Sequence, residues 1–164
     1  MGGREFDLIT GGTAVAPDDA SLAAVLAGGI MALPGFAPGS GPFPDRTGRW
    51  TVDSTALTPP ERTAAASLYA SLMTATCLTL LEARGPTVVE GPFAANALFC
   101  EALAILTGRP VAASAGGTGT SVGAAGLLAP VKPSMPIPVS PRPGLDAPLQ
   151  VYAKRWRAEV DRDA

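Results

Sequence analysis

The sequence contains no histidine and only two cysteines among its 164 residues. Without histidine, the chain cannot supply a Ser-His-Asp or Cys-His catalytic arrangement of its own. Cys77 and Cys100 lie in apolar stretches without a paired-ligand spacing, and two cysteines alone do not complete a zinc site. We therefore interpret both as reduced core thiols of a cytoplasmic protein.

Charge of either sign is scarce. The chain has 12 Lys and Arg against 14 Asp and Glu, a net charge of −2. The arginines are scattered among acidic residues and form no basic face, so nucleic acid is not an expected partner. The first residues, 1–5, contain no apolar core typical of a signal peptide.

One long segment, Thr63 to Leu81, has no charged residue at all. It consists mostly of alanine, serine and threonine, which gain little free energy on transfer into lipid. We expect a buried helix of a soluble core rather than a membrane span. Its start is marked by Thr58-Pro59-Pro60-Glu61, a capping box that predicts a helix running to about 82–84.

Two further segments have clear boundaries. Asp18 and Asp19 precede an apolar run that ends at Gly28-Gly29, which predicts a short helix with an aspartate cap. Residues 30–33 are compatible with a strand. The proline- and glycine-rich stretch 34–44 predicts an irregular loop.

The most informative stretch runs from Thr87 to Leu128. Thr87–Val89 reads as a buried strand, and 90–96 as a turn. A helix over 97–107 follows, with one apolar stripe and a stop at Gly108. Residues 109–113 predict a second strand, and a small-residue helix over 121–128 ends the segment. The apolar stripe of the helix over 97–107 consists of Leu98, Ala102, Ile105 and Leu106.

This order of strand, turn, helix, Gly-Arg-Pro-Val strand and Gly-Ala-Ala helix resembles the adenosine-side half of the FGGY carbohydrate kinases. The resemblance covers most of the chain, is strongest over 58–128, and corresponds to roughly the last third of a full enzyme. It implies an α/β fold, namely part of the C-terminal subdomain of an actin-like (ribonuclease H-like) ATPase.

The resemblance also suggests a division of the chain. Residues 1–130 would form a partial C-terminal lobe, with 58–128 as its adenosine-side core. Seven prolines fall between Pro130 and Pro148, so 131–148 is expected to be an extended, irregular linker. Residues 149–164 are expected to form an amphipathic helix that docks through an apolar stripe, consisting of Leu149, Tyr152, Trp156 and Val160.

In the resembled kinases, a glycine turn after a strand contacts adenosine, because glycine lets the backbone approach the nucleotide closely. Carried onto this sequence, the contact falls on Gly91 and Asn96. Glu90 stands where the family has a glycine, and it would either narrow the pocket or meet the ribose hydroxyls. Asn96 is also a typical helix N-cap residue. The other residues expected to contact the nucleotide are Pro92, Phe93 and Ala95.

The glycine-rich turn 116–121 invites a phosphate-loop interpretation. Its spacing fits neither a Walker loop, which needs Gly-Lys-Ser/Thr, nor the dinucleotide-binding pattern. In the resembled kinases this segment leads into a small-residue helix at the hinge between lobes. We therefore interpret it as a hinge rather than a phosphate cradle.

The resemblance implies transfer of the ATP γ-phosphoryl group to a sugar or polyol, with Mg²⁺. We assign no catalytic base and no metal ligand, because capping explains Asp18 and Asp19. The catalytic Asp, the phosphate turn and the N-terminal lobe would lie upstream of Met1. The expected partners are adenine nucleotide and, in the intact enzyme, a sugar. A homo-oligomer, a split subunit that pairs with a separate N-terminal lobe and a non-catalytic remnant all remain open.

Overall fold

The computed structural model describes residues 2–114, 123–124, 126–128 and 135–162, and these form an α/β fold. Two 3₁₀ turns, Ser54–Ala56 and Gly91–Ala95, accompany the helices and strands. In chain order, the helices and strands are α1 Gly2–Thr10, α2 Asp19–Gly28, β1 Ala32–Leu33, β2 Arg49–Trp50, α3 Pro59–Leu80, β3 Thr87–Val89, α4 Ala97–Thr107, β4 Val111–Ala113, β5 Ile137–Pro138 and α5 Asp146–Arg162.

Helix α3 is the centre of the fold and packs against α1, α2 and α4. The predicted capping box is present: Thr58 accepts a hydrogen bond from the Glu61 amide, and the Glu61 carboxylate accepts one from the Thr58 amide. The helix ends at Leu80 rather than at 82–84, because Glu82 adopts a left-handed φ of 47°. Alanine side chains allow the neighbouring helices to approach closely.

By length and composition, α3 is the one helix in the described part of the chain that could cross a membrane. In this structure, 67% of its most apolar stretch is buried inside the fold. Its serine and threonine hydroxyls do not remain unpaired there: Ser67, Ser71 and Thr74 each donate to the carbonyl oxygen four residues earlier. The arrangement is that of a core helix.

A three-stranded sheet has the order β3-β4-β5, with β3 and β4 parallel and β5 antiparallel to β4. Helix α4 packs on one face, where Val89 and Val111 are buried. Residues 87–89 form the predicted strand, but the prediction that this strand is buried is wrong for two of its three residues. Among the described residues β3 is an edge strand, and Val88 points to the face opposite Val89; Val88 is 50% exposed and Thr87 only half-buried.

In its described part, 135–148, the proline-rich segment contains a strand, which the predicted irregular linker does not include. Ile137 and Pro138 form β5, the outer strand of the sheet, where proline's missing N–H is tolerated. Helix α5 then begins at Asp146 and not at 149. Its predicted docking stripe is confirmed, since all four side chains are buried in the main core.

Helices α2 and α4 match their predicted boundaries closely. Asp18 caps α2 by accepting a hydrogen bond from the Ser21 amide, and Gly29 ends it in a left-handed conformation. In α4, Leu98 and Ala102 are buried as expected, whereas Ile105 and Leu106 are only partly so. Cys100 is a buried free thiol, and Cys77 is a half-buried one.

Candidate functional site

A cleft of about 550 Å³ opens between α1, the start of α4 and the loop over 14–17. We call it the α1–α4 cleft. Thr63 of α3 holds one wall in place, since its hydroxyl accepts a hydrogen bond from the Val15 amide at 3.1 Å. The side chains that shape the cleft are Phe6, Asp7, Pro17, Thr63, Pro92, Phe93, Asn96, Leu98 and Arg142.

The turn from β3 into α4 forms the opposite wall. Gly91 has a φ of +72°, a conformation that non-glycine residues adopt only with strain. A single 3₁₀ turn, Gly91–Ala95, then brings the chain to Asn96. A Cβ at Gly91 would meet no atom within 4 Å, so backbone conformation, and not crowding inside the free protein, explains the glycine.

Asn96 connects this turn to the central helix. Its Oδ1 accepts a hydrogen bond from the Phe99 amide at 3.0 Å, which caps α4 as predicted. Its Nδ2 donates to Ser67 Oγ at 2.9 Å. Because both ends of the amide are engaged, the Asn96 side chain has a fixed orientation at the edge of the cleft.

Aromatic rings line the cleft on one side. Phe93 contacts Phe6 edge to face, with ring centroids 5.5 Å apart, and packs on Phe99 at 4.8 Å. Such contacts hold the half-buried Phe93 ring in place and tie α1 to the turn. A planar, partly apolar ligand is what this wall can best accommodate.

Arg142 is the cationic side chain among the residues that line the cleft. It binds the Glu101 carboxylate through Nε at 2.6 Å and Nη2 at 3.4 Å, and Asp19 Oδ1 through Nη1 at 3.2 Å. The hydrogen bond to Glu101 is the main cause that raises the pKa of Arg142. Two carboxylates neutralise this arginine, so it does not form a free phosphate site.

The structure brings four of the six predicted contact residues together. Pro92, Phe93, Ala95 and Asn96 line the α1–α4 cleft, whereas Gly91 lies beside it. Glu90 is exposed and instead lines a separate groove on the other side of the turn. In this geometry, Glu90 does not narrow the cleft.

Sequence reasoning did not identify Phe6 or Arg142 as cleft residues. Phe6 has no local signal that marks it as a site residue, and its contact with Phe93 joins residues 87 positions apart in the sequence. Arg142 lies between Pro141 and Pro143. A charged residue between two prolines is the only local feature of the sequence that could have marked Arg142 as a cleft residue. The glycine turn 116–121 lies outside the described residues, and of 121–128 the helical positions described are 123, 124 and 126.

Acidic residues do not converge into a metal site in the part of the chain that the structure describes, where no group of three potential ligands is found. Asp18 is a helix cap, and hydrogen bonds from Ser21 lower its pKa. Asp19 follows it as the first residue of α2 and pairs with Arg142. Each aspartate therefore has a structural role.

The family described as the C-terminal domain of carbohydrate kinase FGGY matches residues 1–136. The chain belongs to this family. Among solved structures, the FGGY domain is similar to a carbohydrate kinase from Novosphingobium aromaticivorans, with 34% sequence identity and a TM-score of 0.78. That similarity covers 98% of this chain and 36% of the kinase, so the domain spans little more than a third of that protein. No curated protein matches the chain.

Proposed function

We propose that this FGGY domain is the C-terminal, nucleotide-binding part of an ATP-dependent sugar or polyol kinase with an actin-like ATPase fold. Adenosine would lie in the α1–α4 cleft, against the turn Gly91–Ala95 and the capped start of α4. The observation that carries the proposal is a cleft lined by a fixed Asn96 and an aromatic wall, with the left-handed Gly91 directly beside it.

Each part of the cleft suits adenosine in a different way. The Phe93 and Phe6 rings offer apolar area to a base, which gains free energy when its faces leave water. The Asn96 amide retains one N–H and one acceptor position beyond its two internal bonds, and both can pair with a polar edge. No atom of the described residues lies within 4 Å of the position that a Cβ of Gly91 would occupy, so a ligand could approach the backbone closely on that side.

Phosphate and metal would be held elsewhere in the kinase. Arg142 is already neutralised, and the described residues include no cluster that fits Mg²⁺. When bound with ATP, Mg²⁺ neutralises charge on the transferring phosphate. The role of this chain would be to bind and orient the base and ribose, while the sugar or polyol and the catalytic base belong to the rest of the enzyme.

Nucleotide titrations followed by amide chemical shifts test this role. Adenosine, ADP and ATP should bind alike, with a dissociation constant no better than about 1 mM, roughly −4 kcal/mol. The amides of 91 and of 93–97 should shift first. If ATP bound a hundredfold more tightly than adenosine, or if the shifts clustered at 116–121, the assignment of the two glycine turns would be reversed.

A pair of variants makes the titration specific. Ala95 is exposed and lines the cleft, so Ala95→Leu should fill space there and weaken adenosine binding at least fivefold. Ala24 is exposed on α2 and lies away from the cleft, so Ala24→Leu should leave binding unchanged. Equal affinities in the two variants would place the nucleotide somewhere else.

A second candidate is a non-catalytic module, either a split subunit that pairs with a separate N-terminal kinase lobe or a remnant that self-associates. The roles of Asp18 as a helix cap and of Asp19 as a partner of Arg142 favour it for the isolated chain, since each carboxylate has a structural contact that accounts for it. The purified chain should then release no ADP above background with any pentulose, hexulose or polyol. Turnover that tracks the protein and disappears in Asp19→Asn would show that Asp19 is catalytic after all.

A further inference from the structure

A groove of about 470 Å³ runs along the surface between α2 and the start of α5. We call it the α2–α5 groove. Of the residues that line the α1–α4 cleft, only Arg142 also lines this groove, so the two are separate surfaces. Most of the lining is apolar, and the side chains that matter for its shape are Leu22, Ala23, Leu26, Ala27, Pro148 and Val151.

This apolar lining is open to solvent. Val151 is 50% exposed, and Ala23 and Ala27 are exposed as well. From Ala20 to Gly28, helix α2 has no charged residue and a single polar side chain, that of Ser21. A helix that is apolar on all sides is normally covered on all sides. An apolar surface that stays uncovered indicates an interaction site.

The two ends of the groove carry opposite charges. Asp19 is the first residue of α2, and it lines one end. Arg155 lines the other end, where its Nη1 lies 3.9 Å from the position that a Cβ of Gly29 would occupy. Because α2 has ten residues and a helix rises about 1.5 Å per residue, the two ends are about 15 Å apart.

Neither charge is fully neutralised within the described part of the chain. Arg142 is shared between Asp19 and the less exposed Glu101, so these three groups have a net charge of −1. The Asp19 side chain is 96% exposed and binds Arg142 through Oδ1, which leaves Oδ2 as an acceptor. Arg155 makes no hydrogen bond or ion pair with any residue that the structure describes. A carboxylate is the partner that such a guanidinium binds most strongly.

We propose that the α2–α5 groove is the interface of a homodimer. A two-fold axis perpendicular to α2 would place the α2 helices of the two copies antiparallel, with their apolar faces in contact. Asp19 of each copy would then lie opposite Arg155 of the other, so that both ion pairs form at once. The proposal specifies a surface for self-association and does not rest on nucleotide binding, which uses the α1–α4 cleft.

The distribution of charge favours a second copy over a different protein. An acidic partner segment would match Arg155 but place a like charge against Asp19, and a basic segment would do the opposite. A surface with an acid at one end, a base at the other and apolar side chains between them is complementary to itself after a two-fold rotation. An interface confined to this face would bury less than about 1,200 Å², which is typical of weak, reversible association.

Sedimentation equilibrium of the purified chain tests the proposal. Between about 5 and 500 µM, the molecular mass should rise from that of a monomer to that of a dimer, with a dissociation constant on the order of 10–100 µM. A chain that stays monomeric over this range would overturn the proposal and leave the groove to a different protein. Species larger than a dimer would also contradict it, because a two-fold interface closes on itself.

Charge reversal shows whether this surface forms the dimer. Asp19→Arg and Arg155→Asp should each weaken dimerisation at least tenfold, because each places like charges together at both ends of the interface. An equimolar mixture of the two variants should dimerise within threefold of the parent chain, since every pair is then again of opposite sign. Arg157→Asp is the matched control: Arg157 is exposed on α5 outside the groove, so this variant should also dimerise within threefold of the parent.

Recovery in the mixture cannot come from a merely structural role of either residue. All three positions are exposed, and circular dichroism should show that each variant is folded. Dimerisation that survives both single substitutions, or that fails to return in the mixture, would overturn the proposed interface. A variant that fails to fold is replaced by Asp19→Lys or Arg155→Glu, which place the same charges at the same positions.

The result is separable from that of the nucleotide titration. Adenosine binding is measured by the amide shifts of 91 and 93–97, and dimerisation by sedimentation. A dimer without adenosine binding would remove the proposed nucleotide role and leave the interface intact. Adenosine binding by a chain that is always monomeric would do the reverse.

Discussion

Trp156 in helix α5 donates its indole N–H to the backbone carbonyl oxygen of Ala32 at 2.9 Å, across 124 residues of sequence. Both residues are almost completely buried. One helix turn earlier, the Tyr152 hydroxyl donates to the Ile30 carbonyl at 2.8 Å. Helix α5 is thereby joined to the core through two backbone acceptors beside β1, which makes it an integral part of the fold.

Trp156→Ala should therefore destabilise the protein by about 3–5 kcal/mol, because it leaves a large cavity and an unpaired carbonyl. Urea unfolding monitored by circular dichroism measures the change. Arg157, the next residue, is exposed, and Arg157→Ala should stay within about 0.5 kcal/mol of the parent. A loss below about 1 kcal/mol for Trp156→Ala would mean that α5 is only loosely attached.

The ion pairs of Arg142 should differ greatly in strength. The side chain of Glu101 is 12% exposed and that of Asp19 is 96% exposed. Arg142→Ala strands the Glu101 carboxylate and should cost about 1–2 kcal/mol, whereas Asp19→Ala should cost no more than about 0.5 kcal/mol because water screens that pair. A double-mutant cycle between Arg142 and Glu101 measures the coupling directly. Equal costs for the two substitutions would refute this ranking.

Backbone strain and ligand contact at Gly91 can be separated. Gly91→Val should destabilise the fold by about 1–2 kcal/mol, because a branched residue is strained at a φ of +72°. Gly91→Asn should cost much less, since asparagine tolerates this conformation. If the missing Cβ is what admits the nucleotide, both variants should lose adenosine binding in the titration, and retention of binding by Gly91→Asn would exclude that role.

Two tyrosines should make the protein sensitive to alkali. Burial is the main cause that raises the pKa of Tyr69 and Tyr152 above the ordinary value of 10.0, and for Tyr69 the hydrogen bond to Glu5 adds to it. Above about pH 10 the unfolded chain loses these protons, whereas the folded chain keeps them. The free energy of unfolding is therefore unaffected below that pH. It falls as the pH rises further, by up to about 1.4 kcal/mol per pH unit for each tyrosine.

Urea midpoints at pH 9, 10 and 11 test this slope. Tyr69→Phe and Tyr152→Phe should each remove about half of it, although each also lowers the stability at neutral pH through a lost hydrogen bond. Tyr69 is hydrogen-bonded to Glu5 at 2.8 Å and Tyr152 to Ile30. An unchanged slope in both variants would assign the alkaline sensitivity to other groups.

The amino-acid sequence by itself determined the elements whose ends depend on nearby residues. The capping box at Thr58, the Asp18 cap of α2 and the span of α4 between Asn96 and Gly108 are all local hydrogen-bonding patterns, and the structure confirms each one. The family also followed from the sequence, because it depends on the order and spacing of such elements and not on any contact between distant ones.

Only the tertiary structure decided which residues meet across the chain. The burial of β3 depends on whether a neighbouring strand covers its edge, and β5 exists only because Ile137 reaches Ala113 of β4. Glu90 lines a groove on one side of the 90–96 turn, whereas Phe93 lines cavities on both sides of it. No rule of residue spacing predicts this arrangement. Packing between distant segments sets these outcomes, and the free energy of that packing has no counterpart in local sequence.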